Sequence, residues 1–179
     1  MAEAVHHRAW PEDSGIVHRI FDAAIYNDVH GYGAATFFGL FTQLCFTLFS
    51  IDGHYCIDPQ FKCEAPEGSR EHINFVPTLL VDFECQHPVF FLQINHPDSL
   101  HDDSKHEEAD KQMRRRFRDL APALTIPTLH GVCAFGTQLA FYKYDLATHD
   151  IQPPPHVTTV WLLFHAGIQM FSDQRGQTI

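Results

Sequence analysis

The chain has 179 residues, of which 45% are apolar, and this length suits one domain better than two. The apolar fraction and 16 Phe supply enough material for a hydrophobic core, which excludes global disorder. Twelve Lys and Arg against 22 Asp and Glu give a net charge of −10. This balance argues against a protein that binds nucleic acid or an anionic membrane through its overall charge. We therefore expect one acidic domain over residues 1–179.

The sequence of the first residues and the pattern of cysteines predict an intracellular protein, either cytoplasmic or nuclear. The first residues show no basic stretch followed by an apolar run, so no secretory signal is visible. The two most apolar segments, residues 37–49 and 157–171, are shorter than the roughly 18–20 residues of a membrane span. The five cysteines form no CxxC pair and leave one unpaired in any disulfide scheme, which favours reduced thiols. They are Cys45, Cys56, Cys63, Cys85 and Cys133.

The first third of the chain predicts two helices. The first begins after Ser14, a candidate N-cap, and its apolar residues recur at helical spacing as far as Ile25. The second follows the break at residues 31–33 and has the sequence AATFFGLFTQLCFTLFS. Its apolar residues cover most of the circumference and leave a thin polar line that includes Gln43. We expect this second helix to be buried on nearly all sides.

Strand-like runs follow, separated by one more helix. Residues 75–84 and 89–95 have only four residues between them and predict an antiparallel hairpin. Ser104 and Glu107 form a capping box at the start of a helix, and a single apolar stripe predicts its buried face. The stripe consists of Ala109, Met113, Phe117 and Leu120, and we expect the arginines at positions 114, 115, 116 and 118 to form a solvated face. Because this helix separates two strands, it makes their connection a crossover and the sheet mixed. The other predicted strands are residues 54–58, 127–134 and 138–145.

Three stretches of the chain resemble a known superfamily. They are the hairpin VPTLLVDFECQHPVFFLQIN, the helix that begins at Ser104, and the strand pair IPTLHGVCAFGTQLAFYKYD. With the αβββαβ order they resemble the PD-(D/E)XK (restriction-endonuclease-like) superfamily, in a version found in short fungal proteins. The resemblance covers roughly residues 32–145. It implies an α/β fold whose mixed sheet has a restriction-endonuclease-like core, with an extra N-terminal helix and a C-terminal apolar element outside it.

The resemblance also implies a catalytic site that has lost its charges. In the superfamily, an acidic residue after Pro and an acid-x-Lys pair on the next strand hold a divalent metal that activates water. The matching positions are Thr78, Gln93 and Asn95. If position 78 pairs with position 95, within a slip of one or two residues, these side chains share one face. Mg²⁺ prefers carboxylate oxygens, whereas all three side chains, and Gln43 where relatives often carry Glu, are neutral.

Other residues could replace the lost metal ligands. Asp58 ends the first strand, and His96 and Asp98 lie just past the hairpin, so these three are the best-placed relocated ligands. The carboxylates at positions 82 and 84 lie about 13–20 Å along the strand from position 78, too far to share a metal with Gln93. The His-rich stretch at residues 101–110 is explained by helix capping rather than by Zn²⁺. We expect Mg²⁺ or Mn²⁺ only if relocation has occurred.

These observations favour a binding or assembly module that keeps a nuclease-like fold without nuclease activity. Its cleft would hydrogen-bond a small molecule or a protein partner, with nucleic acid disfavoured by charge and no membrane contact. Two enzyme hypotheses stay open: a metal-dependent phosphodiesterase with relocated ligands, and a small-molecule enzyme that uses His54, His96 or His130 as acid or base. A homo-oligomer also stays open, because the apolar residues 157–171 must be covered by the chain itself or by a second copy.

Overall fold

The computed structural model describes residues 22, 26, 34–49, 52–59, 76–155 and 162–163. Of the predicted N-terminal helix, only Asp22 and Tyr26 are among them, and both are helical. The further helices and strands, in chain order, are α1 (Ala34–Leu48), β1 (Tyr55–Pro59), β2 (Thr78–Phe83), β3 (His87–Asn95), α2 (Asp103–Leu120), β4 (Thr128–Phe135), β5 (Gln138–Asp145), β6 (Ile151–Gln152) and β7 (Leu162–Leu163). Short 3-10 helices at Pro97–His101 and Ala121–Ala123 flank α2.

The seven strands in the described part of the chain belong to one mixed sheet. Six follow one another in the order β1-β2-β3-β4-β5-β6, and β7 also pairs with β5. Neighbouring strands are antiparallel except β3 and β4, which run parallel because α2 carries the chain back across the sheet between them. The predicted α/β class, with a mixed sheet and a helical crossover, is therefore confirmed.

The strand β3 contributes side chains to two separate cores, because neighbouring residues of a strand point to opposite faces. On one face, Leu92 and Ile94 pack in the core that α1 covers. On the other face, Phe91 packs in the core beneath α2, with its ring 4.8 Å from that of Phe117. The odd-numbered residues of β3 after Phe91 therefore lie on the α2 face, and the candidate site lies there with them.

The start of α2 differs from the prediction by a short distance along the chain. The N-cap is Asp102, whose carboxylate accepts hydrogen bonds from the backbone N–H of Ser104 at 2.9 Å and from its hydroxyl at 2.6 Å. These bonds lower the pKa of Asp102. The predicted capping box is therefore wrong: Ser104 donates to the cap instead of being the cap. A carboxylate suits this position because the N-terminal N–H groups of a helix lack intrahelical acceptors.

The buried face of α2 follows the predicted apolar stripe with one addition. The buried residues of the helix are Ala109, Met113, Arg114, Phe117 and Leu120. Arg114 is only 9% exposed, donates to Asp110 at 2.8 Å and donates to the backbone oxygen of Pro153 at 2.6 Å. The prediction that this arginine belongs to a solvated face is therefore wrong, because the chain after β6 folds over it.

The cysteines are not all reduced. Cys56 and Cys85 form a disulfide with 5.2 Å between their Cα atoms, so the expectation of reduced thiols is wrong for this pair. The sequence misses it because the pairing depends on β1 lying beside β2, which places Cys56 opposite Asp82 and near the turn that holds Cys85. Cys45 and Cys133 are free and buried, and burial raises the pKa of both thiols, that of Cys45 to about 12. Cys63 lies outside the described residues.

Little of the C-terminal apolar element falls within the described part of the chain. Within residues 157–171, the structure describes Leu162–Leu163, whose backbone pairs with Gln138 and Leu139 of β5. These two residues therefore join the chain's own sheet. The described residues contain no helix that is long and apolar enough to cross a membrane.

Candidate functional site

The hairpin of β2 and β3 brings the three predicted positions to one face. Thr78 pairs with Gln93 and not with residue 95, because Glu84 and Cys85 adopt left-handed backbone angles (φ 52° and 57°) in a tight turn earlier than expected. The turn alone would pair position 78 with position 92, and a bulge between positions 81 and 82 moves the pairing to Gln93. The slip of two residues lies within the predicted range. Since it is an even number, Thr78 stays on the same face as Gln93 and Asn95.

Gln93 is fully buried and joins the sheet to α2. Its Nε2 donates to Oε1 of Gln112 at 3.1 Å and to Oδ1 of Asn95 at 3.3 Å. Asn95 is anchored in turn to β4, since its Nδ2 donates to the backbone oxygen of Ala134 at 3.2 Å and to Sγ of Cys133 at 3.1 Å. The two predicted residues Gln93 and Asn95 are therefore parts of one network that spans a helix and two strands.

Thr78 lies on the same face but makes a different contact. Its side chain is fully buried, and its hydroxyl donates to the backbone oxygen of Val76 at 3.1 Å. A hydroxyl that donates along its own strand fixes the chain where β2 begins. Thr78 therefore lies opposite Gln93 in the sheet, but its hydroxyl donates to the backbone and not to the amide network.

The helix α2 adds three polar side chains that the sequence analysis did not place at the site. Gln112 donates through Nε2 to Oε1 of Glu108 at 3.4 Å, and Nζ of Lys105 lies 2.9 Å from Oε2 of Glu108. The hydrogen bond and the charge of Glu108 raise the pKa of Lys105. Positions 105, 108 and 112 follow the helical spacing of three and four that puts side chains on one face, but this spacing does not say which part of the sheet that face meets.

A cavity of about 310 Å³ lies beside this network, where β3 ends against α2. This volume is near the lower end of the roughly 300–1,000 Å³ typical of small-molecule sites. Val76, Pro77, Ile94, Ala109 and Phe135 provide its apolar lining. The polar lining consists of Asn95, His96, Ser99, Lys105, Glu108 and Gln112. The charged lining side chains, Lys105 and Glu108, form an ion pair with each other, so the cavity is close to neutral.

Two of the proposed relocated ligands do not reach this cavity. Asp58 is exposed on β1 opposite Leu80, and it contributes with burial to raising the pKa of Asp82. Asp98 is exposed on the 3-10 helix after β3, with its carboxylate 3.6 Å from Nδ1 of His96. Neither Asp58 nor Asp98 lines the cavity. Within the described ranges, no three His, Cys, Asp or Glu side chains come together as a metal site.

Gln43 also lies away from the network. It is exposed on α1, and α1 packs on the opposite face of the sheet from Gln93. The buried part of this helix is the apolar side that includes Phe37, Phe41 and Leu44. The expectation that this helix is buried on nearly all sides is therefore wrong for the stretch with Gln43, and the structure does not bring this residue to the site.

The three candidate histidines fall in three places. His96 lines the cavity. His54 is exposed beside Phe83, with the two rings 5.8 Å apart. His130 is half-buried on β4, where burial and the charge of Lys143 lower its pKa, and its strand neighbour Val132 two positions on packs on the α1 face. Of these candidates, His96 is therefore the one placed to meet a ligand in the cavity.

The chain matches no protein-family model, and no curated protein or solved structure matches it either. The functional argument therefore depends on the geometry of the cavity and of the amide network beside it.

Proposed function

We propose that the chain is a binding module with a nuclease-like fold and no metal-dependent nuclease activity. The observation that carries this proposal is the state of Gln93. It stands where the superfamily places a metal-binding carboxylate, yet it is a neutral amide, fully buried and bonded to Gln112 and Asn95. The mixed sheet with its helical crossover supports the resemblance on which this comparison rests.

A divalent metal would find few suitable ligands here. Mg²⁺ demands near-octahedral oxygen ligands and usually keeps several of its waters. Among the described lining residues Glu108 is the carboxylate, and its oxygens already accept from Lys105 and Gln112. A metal at Glu108 would have to displace a lysine, and the other polar lining groups are amides, the hydroxyl of Ser99 and the imidazole of His96, none of them a second carboxylate. The chemistry of the lining therefore favours a molecule that forms hydrogen bonds.

Charge favours a small molecule or a protein partner over nucleic acid. Proteins that hold a phosphate backbone do so with several Lys or Arg, whereas the described cavity lining offers Lys105 in an ion pair. The chain as a whole carries a charge of −10. A cavity of about 310 Å³ accommodates a small ligand or one protruding side chain.

A second function is favoured by one observation: Glu108 and Lys105 stand beside Asn95 at the cavity. A carboxylate and a lysine are the residue types that metal-dependent phosphodiester hydrolysis needs. In that case Glu108 would exchange Lys105 for Mg²⁺ or Mn²⁺. This alternative predicts that Glu108→Gln abolishes activity, and that Asp98→Asn, at an exposed position outside the cavity, leaves it unchanged.

A cleavage assay separates the two functions. Single-stranded and double-stranded DNA and RNA are incubated with the protein and Mg²⁺ or Mn²⁺, using wild type, Gln93→Ala, Glu108→Gln and Asp98→Asn. We expect no cleavage above that of a heat-inactivated sample in any of them. Metal-dependent cleavage that Gln93→Ala or Glu108→Gln loses, while Asp98→Asn keeps it, would overturn the proposal. Circular dichroism of each variant checks that it is folded.

A further inference from the structure

The hydrogen bonds across the site run outward from Gln93 in two directions, toward Glu108 on the helix and toward Ala134 on β4. The carboxylate of Glu108 can only accept, so Gln112 must turn its Nε2 toward Glu108 and its Oε1 toward Gln93. At the other end the backbone oxygen of Ala134 also can only accept, so Asn95 must turn its Nδ2 toward Ala134 and its Oδ1 toward Gln93. Two side-chain oxygens therefore face Gln93, which satisfies both through its own Nε2.

This arrangement leaves one buried acceptor without a donor. The Oε1 atom of Gln93 is buried and accepts no hydrogen bond from the part of the chain that the structure describes. Turning the amide over would only bring Oε1 against the oxygens of Asn95 and Gln112. An unsatisfied buried acceptor lowers the stability of the fold, and such groups in folded proteins usually accompany a ligand, a water or a functional role. The amides of Gln93, Gln112 and Asn95 therefore keep this orientation although it leaves Oε1 of Gln93 unsatisfied.

The lining amides keep both donor and acceptor capacity for a ligand. Gln112 uses one hydrogen of Nε2 on Glu108 and one lone pair of Oε1 on Gln93, so one of each remains. Asn95 uses Nδ2 on β4 and keeps a lone pair on Oδ1. Because both side chains line the cavity, a group that donates and accepts from adjacent atoms matches them. A carboxamide has this pattern, with its NH₂ group beside its carbonyl oxygen.

The ion pair in the lining selects against a charged ligand. Lys105 and Glu108 both line the cavity and lie 2.9 Å apart. An anion would meet the carboxylate of Glu108, and a cation would meet the ammonium of Lys105, so either would have to compete with the pair. A neutral group that both donates and accepts leaves the pair intact.

We propose that this cavity binds a small neutral molecule that carries a carboxamide or an equivalent adjacent donor and acceptor. Gln112 and Asn95 contact the ligand, and Gln93 is a positioning residue that fixes which atom each of them presents. This inference rests on the proposed function, because it requires that no metal takes the amide oxygens.

The test compares carboxamides with the acids of the same shape. Nicotinamide and nicotinate, and benzamide and benzoate, are titrated into the full chain while the side-chain NH₂ resonances of Asn95 and Gln112 are followed by NMR. We expect both amides to shift these resonances and to bind at least tenfold more tightly than their acids. Absence of a shift with both amides, or equal affinity for amide and acid, would overturn the inference.

Matched variants locate the binding. Gln112→Met keeps the length of the side chain but removes its donor and acceptor, and we expect it to weaken amide binding at least tenfold. Gln43→Met makes the same change at an exposed position on the other side of the sheet, and we expect it to bind as wild type does. Binding that Gln112→Met retains in full would overturn the inference.

The positioning role of Gln93 has its own readout. In Gln93→Met the amides of Gln112 and Asn95 lose the group that orients them, so the preference for amide over acid is expected to disappear as well as the affinity to fall. If Gln93→Met fails to fold, Gln112→Met decides the inference. A titration with Mn²⁺ distinguishes failure of the proposed function from failure of this inference. Mn²⁺ binding at this site would overturn the proposed function. A lack of amide binding, without Mn²⁺ binding, would overturn the inference alone.

Discussion

The side-chain Nε2 of Gln93 donates to the side-chain Oε1 of Gln112 across 3.1 Å, and this bond joins the third strand to the helix that crosses over it. The strand residue is fully buried, whereas the helix residue lines the cavity. Because a buried amide orients an amide that a ligand can reach, the stability of the fold and the chemistry of the cavity depend on the same contact.

The first prediction concerns the stability that this contact provides. Gln93→Met keeps most of the buried volume and removes the unsatisfied Oε1, but it leaves two oxygens without a donor in place of one. We therefore expect the free energy of unfolding to fall by about 1–3 kcal/mol. Urea denaturation measures it. Gln43→Met, at an exposed site, is the matched control and should stay within about 0.5 kcal/mol of wild type. An equal effect of the two substitutions would contradict the account.

The second prediction concerns Gly131, which lies against the aromatic core beneath α2. A Cβ atom there would stand 2.8 Å from Cζ of Phe91 and 2.9 Å from Cζ of Phe117. Both rings are fully buried, so neither can move aside easily. Gly131→Ala is expected to lower the free energy of unfolding by about 1–3 kcal/mol through overpacking.

Gly39 is the matched control for this substitution. It lies in α1, and apart from its own turn of helix no atom of the described residues lies within 4 Å of an added Cβ. Gly39→Ala should therefore stabilise the protein by up to about 1 kcal/mol, because Ala favours the helix. Thermal unfolding of both variants gives the comparison. If Gly131→Ala unfolds at or above the wild-type temperature, the described packing of α2 on the sheet is incorrect.

The third prediction concerns the disulfide between Cys56 and Cys85, which are 29 positions apart. Closing a loop of this length lowers the entropy of the unfolded chain, and its loss is expected to cost about 3–4 kcal/mol. Cys85→Ser should therefore unfold at lower denaturant. Dithiothreitol should lower the midpoint of wild type and leave that of Cys85→Ser unchanged. A midpoint of wild type that does not respond to the reductant would show that the bond does not form.

The fourth prediction concerns the pH dependence of stability at Asp82. Burial, and then the charge of Asp58, raise the pKa of this carboxyl group, while His87 lowers it. A carboxyl group whose folded pKa is raised favours the protonated form in the folded state, so its contribution to stability is lost as pH rises through the folded pKa. Asp82→Asn is therefore expected to be more stable than wild type at neutral pH, with the difference vanishing below the unfolded pKa.

Denaturation at several pH values measures this difference. Asp119→Asn is the control, since Asp119 is exposed on α2 and lies 4.0 Å from Arg115. A stability difference for Asp82→Asn that grows toward acid pH would contradict the described environment of this carboxyl group.

The features that could be predicted from the sequence are those that depend on local patterns of apolar and polar residues. Periodicities of two and 3.6 residues indicated the order of helices and strands along the chain, the apolar stripe of α2, and the common face of Thr78, Gln93 and Asn95. A shift in register by an even number of residues leaves each side chain on the same face of the sheet. The predicted face of Thr78 is therefore correct, although its predicted partner is not.

Features that depend on the packing of distant elements were missed. Lys105, Glu108 and Gln112 reach the cavity because of how α2 is rotated over β3, and no local pattern states that rotation. The burial of Arg114 depends on the chain near Pro153. The role expected of Gln43 failed for the same reason, since its helix packs on the other side of the sheet.

We propose that the cavity beside Gln93 is a neutral hydrogen-bonding site that holds no metal. Calorimetric titration of the metal-free protein with Mn²⁺, for wild type and for Gln93→Ala, tests it most directly. We expect no heat of binding from either protein beyond the heat of dilution. Mn²⁺ binding by wild type that Gln93→Ala loses would contradict it, because the metal would then occupy the position that the superfamily uses.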